Sequence, residues 1–163
     1  MRTTAVVAVL MLLSPLLLAD THHVEFDDKT DFSVFKTFVI GEQQVTSRQA
    51  ELTNDLTIKA VEDAIRSGLS AKGLKETQDR PDLIVSFSLV EAPQRGVVGR
   101  GIQNAHVVMT SVGTFQIDMK RRDTNGLIWH GVYTDEEANA AKLAERLPGD
   151  AKKLISEYPP KKK

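Results

Sequence analysis

The sequence predicts an α+β fold: a two-layer sandwich with a mainly antiparallel sheet of about five strands and two helices on one face. Three observations carry this reading. Thr114 to Lys120 and Leu127 to Thr134 alternate apolar and polar residues on either side of a turn, the pattern of a long antiparallel hairpin. Leu56, Ala60, Val61, Ala64, Ile65, Gly68 and Leu69 recur at three- and four-residue spacing, which makes one apolar helix face. The order along the chain is strand, strand, helix, two or three strands, helix.

Residues 1–19 read as a secretory signal peptide. Arg2 gives a positive start, Ala5 to Leu18 is apolar apart from Ser14 and Pro15, and Ala19 offers a small residue before Asp20. The apolar run falls short of the roughly 20 residues that a membrane span needs, so removal after Ala19 is favoured over a permanent anchor. Residues 20–158 then form one domain, and 159–163 a basic tail ending in Lys161, Lys162 and Lys163. Three lysines add little attraction to an anionic surface, so the tail reads as a solvated end.

Within the domain, His22 to Asp27 is a short strand with Val24 and Phe26 on one face. The Asp27–Asp31 stretch has turn chemistry, and Val34 to Ile40 follows as a second strand, together predicting a hairpin. The amphipathic helix runs from about Leu52 to Lys72, with Thr53 or Asn54 to cap it and Gly73 to end it. Pro81-Asp82 opens a strand over Leu83 to Val90. Ala92 to Asn104, with Gly96, Gly99 and Gly101, reads as a loop, and no helix start follows it to make a phosphate cradle. Asn125-Gly126 turns the hairpin. Asp135 to Leu147 is a second helix with capping-box spacing between Thr134 and Glu137. Pro148-Gly149 interrupts it before a shorter helix over Asp150 to Tyr158.

These motifs in order are similar to a known family. Asp31-Phe32-Ser33-Val34-Phe35-Lys36-Thr37-Phe38, Lys72-Gly73-Leu74, Pro81-Asp82-Leu83-Ile84-Val85, Gly113 to Asp118, Leu127-Ile128-Trp129-His130-Gly131 and Tyr158-Pro159-Pro160 resemble the bacterial envelope family named domain of unknown function 4136. The resemblance covers nearly the whole mature chain. It implies an exported protein of the bacterial envelope, in a family often lipid-anchored, with no catalytic residues to carry over. The chain departs from the pattern in lacking a cysteine at the cleavage point, and in carrying Arg121 and His130 where an acid and an arginine are expected.

Composition excludes several chemistries. Lys+Arg number 21 against 22 for Asp+Glu, a net charge of -1, which argues against a nucleic-acid binder. The absence of Cys removes disulfides, thiolate metal sites, cysteine nucleophiles and any thioether-linked lipid. No Gly-x-Ser-x-Gly elbow exists. Asp118 and His130 fall on the two arms of one hairpin as possible cross-strand neighbours, without a serine obviously beside them. Trp129, between aliphatic residues, reads as core. A chain cut after Ala19 would begin Asp20-Thr21-His22, whose amine, two amides and imidazole can set four nitrogens in the plane that copper(II) or nickel(II) prefers. Asp27-Asp28-x-x-Asp31 lacks the glycine and distal glutamate of a calcium loop.

The function expected is therefore a non-catalytic binding or accessory module of the periplasm, with an envelope protein or small ligand as partner and no cofactor. The alternatives are a copper or nickel binder through Asp20 and His22, and a hydrolase using Asp118 and His130.

Overall fold

Side-chain alternation along the strands sorts the sheet into one apolar and one polar face. The computed structural model describes residues 21–98, 106–135 and 139–160, with backbone alone for 93–98 and 106–111. The signal segment, Asp20, Gly99 to Asn104 and the terminal lysines, all subjects of the sequence expectations, lie outside the described residues. The strands are β1 (Thr21–Phe26), β2 (Thr37–Thr46), β3 (Lys75–Glu76), β4 (Leu83–Val98), β5 (His106–Arg121) and β6 (Leu127–Asp135). They make one six-stranded sheet in the order β1-β6-β5-β4-β2-β3. The helices are α1 (Ala50–Thr53), α2 (Asp55–Ala71) and α3 (Ala140–Ser156).

The register places Leu89, Phe115 and Tyr133 in one row across β4, β5 and β6, and Val85, Met119 and Trp129 in another. All six are buried, and the same core takes Val61, Ile65 and Leu69 of α2 and Leu143, Leu154 and Ile155 of α3. Each such side chain taken fully out of water contributes about 1.5–3 kcal/mol. Between the two rows, Gly131 leaves room for the Trp129 ring: a Cβ there would stand 2.6 Å from Trp129 Cη2. The indole lies across the glycine of its own strand, so any side chain at 131 displaces the largest core residue.

Helix ends follow local chemistry. The Asn54 side chain accepts the Thr57 N–H at 2.8 Å, and Asn139 accepts that of Lys142 at 3.1 Å. Gly73, with φ of 90°, ends α2, where Leu74 N–H returns to the Leu69 carbonyl at 3.2 Å. Arg146 of α3 pairs at 3.1 Å with the buried Asp135, tying that helix to the end of β6.

Several expectations are corrected. The sheet has six strands, since β1, β2 and the short β3 all join it. The first two strands form no hairpin: β1 pairs antiparallel with β6 at one edge, while β2 runs parallel to β4 towards the other. Phe32, Phe35 and Phe38, on the connection and the start of β2, are all buried in the core, so burial and not the Asp27–Asp31 turn selects the partners. The helix over 52–72 begins at Asp55, and Leu56 is 81% exposed because Asn54 starts a new helix that buries the Val61–Ile65–Leu69 stripe instead. Gln94 to Val98, read as loop, are strand and pair with His106 to Thr110. Thr134 is a β6 residue, and the last helix starts at Ala140 and runs through Pro148 and Gly149 unbroken.

Candidate functional site

The helices cover one face of the sheet, and the other face carries the sequence-predicted pair. Ser86, Asp118, His130 and Glu25 stand opposite one another in a single row across β4, β5, β6 and β1. The strands fix them there because these positions alternate with core residues on either side. His130 Nδ1 and Asp118 Oδ1 share a hydrogen bond of 2.5 Å, with side chains 24% and 34% exposed. Beside them a groove of about 540 Å³ is lined by Glu25, Asp27, Asp118 and His130, with Leu127 as an exposed apolar flank.

The order within the row decides what it can do. An acyl-transfer triad needs the imidazole between the carboxylate and the hydroxyl. Here the carboxylate of Asp118 lies between Ser86 and His130, and the residue on the far side of His130 is Glu25. The next serine, Ser88, is bonded to Gln116 at 3.3 Å. Among the described residues, the strand register brings Asp118 and His130 together without a serine beside the imidazole. Carboxylates and an imidazole beside apolar side chains instead suit a ligand that offers hydrogen-bond donors.

Glu25 is further engaged by His23 at 3.2 Å. Asp27 accepts the Thr30 hydroxyl at 2.7 Å and the Lys29 N–H at 3.1 Å. Those bonds, the hydroxyl first, hold its carboxyl below the usual value of 3.8. Sequence reasoning missed Glu25, Phe26, Asp27 and Leu127. The alternation of Glu25 and Phe26 in β1 was visible, but the groove forms only once β1 is placed against β6.

His22 sits elsewhere, at the β1 edge, with Nε2 2.8 Å from Glu157 and its ring stacked on Tyr133 at 6.4 Å. Thr21 and His22 pair with Thr134 and Tyr133 in the sheet. Among the described residues, no group of three or more His, Asp or Glu is arranged to hold a metal ion, and no helix is long and apolar enough to cross a membrane.

A family model described as domain of unknown function (DUF4136) matches residues 22–160. The protein belongs to this family. No curated protein matches the chain. Among solved structures, this DUF4136 chain is similar to a PDZ domain protein from Parabacteroides distasonis, with TM-score 0.63 and 14% identity. That likeness covers 87% of this chain and 36% of the other, so the chain spans about a third of that protein. A PelC dodecamer from Paraburkholderia phytofirmans gives TM-score 0.53 at 13% identity, covering 85% of this chain and 95% of the other. A homologue of neuraminyllactose-binding hemagglutinin from Helicobacter pylori gives 0.51 at 12% identity, covering 79% and 88%. At these identities the likeness shows a shared fold.

Proposed function

We propose that this DUF4136 protein is a non-catalytic binding module exported to the periplasm of a bacterial envelope, and that it engages its partner through the helix-free face of the sheet. One observation carries the non-catalytic part: Asp118 separates Ser86 from His130, so the row can bind but has no hydroxyl for the imidazole to activate. The groove beside the row, with exposed Leu127, supplies the binding surface. The signal-like residues 1–19 and the family membership support export.

The test of the surface is a photo-crosslinking residue at Gln116, on the open face, compared with one at Glu145 on α3, in native envelopes. A discrete adduct from position 116 that His130→Ala weakens, with none from 145, is expected. Equal labelling from both positions, or none in repeated trials, rejects the surface. Export is tested by intact mass, fraction by fraction: a chain beginning at Asp20 in the soluble periplasm is expected. A full-length chain in the membrane fraction makes residues 1–19 an anchor.

A further inference from the structure

The turn end of the sheet carries arginines that the open-face groove does not use. Arg80 precedes β4, Arg121 ends β5, and Arg122 begins the turn to β6. All three line one depression of about 390 Å³ together with Phe35 and Pro81. It shares no lining residue with the groove beside His130.

Both carboxylates in this depression are already committed. Asp82 Oδ2 accepts the N–H of Lys36, the N–H of Thr37 and the Thr37 hydroxyl, at 2.8, 2.9 and 2.9 Å. Asp123 accepts Nε and Nη2 of Arg121 at 3.2 and 3.1 Å. Among the described residues, the guanidinium groups of Arg80 and Arg122 make no ion pair and no hydrogen bond. Their backbones are nonetheless fixed near each other. Arg122 N–H donates to the Asp82 carbonyl at 3.0 Å, and Arg80 is held at φ 46°, in the left-handed region that side chains other than glycine rarely adopt.

A guanidinium is a planar fork of N–H donors that matches an oxyanion two bonds at a time. Two unpaired forks require more acceptor atoms than the two oxygens of a carboxylate, and a phosphate supplies them with more charge. Val34, 58% exposed beside the arginines, offers an apolar flank for the remainder of a ligand. We infer that this depression binds a phosphate group between Arg80 and Arg122, carried on a lipid headgroup or on a soluble molecule.

The test uses the protein purified from its host, with inorganic phosphate followed by amide shifts and with vesicles of phosphatidylglycerol against phosphatidylcholine alone. Saturating shifts at Arg80 and Arg122, or sedimentation with the anionic vesicles, is expected. At about fivefold per arginine, Arg80→Gln with Arg122→Gln should weaken either by about 25-fold. Lys59→Gln with Lys152→Gln removes the same charge from the helices and should leave binding unchanged. Binding of phosphate alone assigns a soluble source, and binding only of anionic vesicles with the same variant dependence assigns a headgroup. Failure of both probes, or an equal loss in the lysine control, overturns the site. Should the glutamine pair unfold the chain, Arg80→Lys with Arg122→Lys keeps the charge and loses the forks. Unchanged affinity in that variant overturns it as well.

Discussion

Gly68 of α2 faces Ile155 of α3 so closely that a Cβ on the glycine would stand 2.8 Å from the Ile155 Cγ2 methyl. This contact sets the spacing of the two helices over the sheet. Ile155 is fully buried and β-branched, so its methyl has little freedom to swing aside. Replacing glycine by alanine inside a helix ordinarily gains up to about 1 kcal/mol. Here overpacking should cost about 1–3 kcal/mol and reverse the sign. Gly68→Ala is expected to lower the urea midpoint. In an Ile155→Ala background, where the methyl is gone, the same change should raise it. A gain in both backgrounds would show that the helices do not meet at this point.

Asp82 holds the entry to β2 by accepting three bonds from Lys36 and Thr37. The Lys36 N–H is the largest cause of a carboxyl held below the usual 3.8, with the Thr37 bonds adding to it. A carboxyl lowered on folding stabilises fully above its unfolded value, and that stability is lost as pH falls through the folded value. Asp82→Asn should therefore cost about 1–2 kcal/mol at neutral pH. The gap to the parent protein should narrow as pH drops below 3.8. Denaturation curves at pH 7 and pH 3 decide it, and a gap that widens in acid refutes the assignment.

Tyr158 closes the core against Trp129, the rings meeting edge-on at 6.3 Å, yet among the described residues neither the Tyr158 hydroxyl nor the Trp129 Nε1 finds a hydrogen-bond partner. Burial, with a smaller contribution from the charge of Asp82, pushes the phenol up to about 12. A buried hydroxyl without a partner costs about 1–3 kcal/mol, while the ring supplies the packing. Tyr158→Phe is expected to stabilise the protein by about 1 kcal/mol in thermal or urea unfolding. A loss of stability would place a water or another acceptor on that hydroxyl.

How much of this was legible in the sequence differs by element. The β5–β6 hairpin was, because Phe115, Ile117 and Met119 alternate strictly and Asn125-Gly126 supplies a turn with φ of 54° at Asn125. That alternation also placed Asp118 opposite His130. The partners of β1 and β2 were not, since pairing between distant strands depends on which faces the helices bury, and a local turn signal carries no information on that. Pro93 and Gly96 hid the outer part of β4, because both residues disfavour strand locally while pairing with β5 supports it. Arg80 and Arg122 lie far apart in sequence, and only the β4–β5 register brings their backbones together.

Pro148 lies inside α3, where the local rule predicts a break. The helix continues because Leu143, Leu147, Ala151, Leu154 and Ile155 are buried on both sides of the proline, and that packing outweighs one lost backbone bond. The proline still removes the N–H that would reach the Ala144 carbonyl, and Gly149 beside it carries the entropy cost of glycine in a helix. A Cβ on Gly149 would meet nothing within 4 Å. Gly149→Ala should therefore gain about 0.5–1 kcal/mol. Pro148→Ala should gain about 1–2 kcal/mol, less than the full helix penalty because proline also restricts the unfolded chain. Both are read from the thermal midpoint together with helical circular dichroism. If Pro148→Ala lowers the midpoint instead, the proline itself helps seat Leu147 and Ala151 in the core, and α3 owes part of its fit to it.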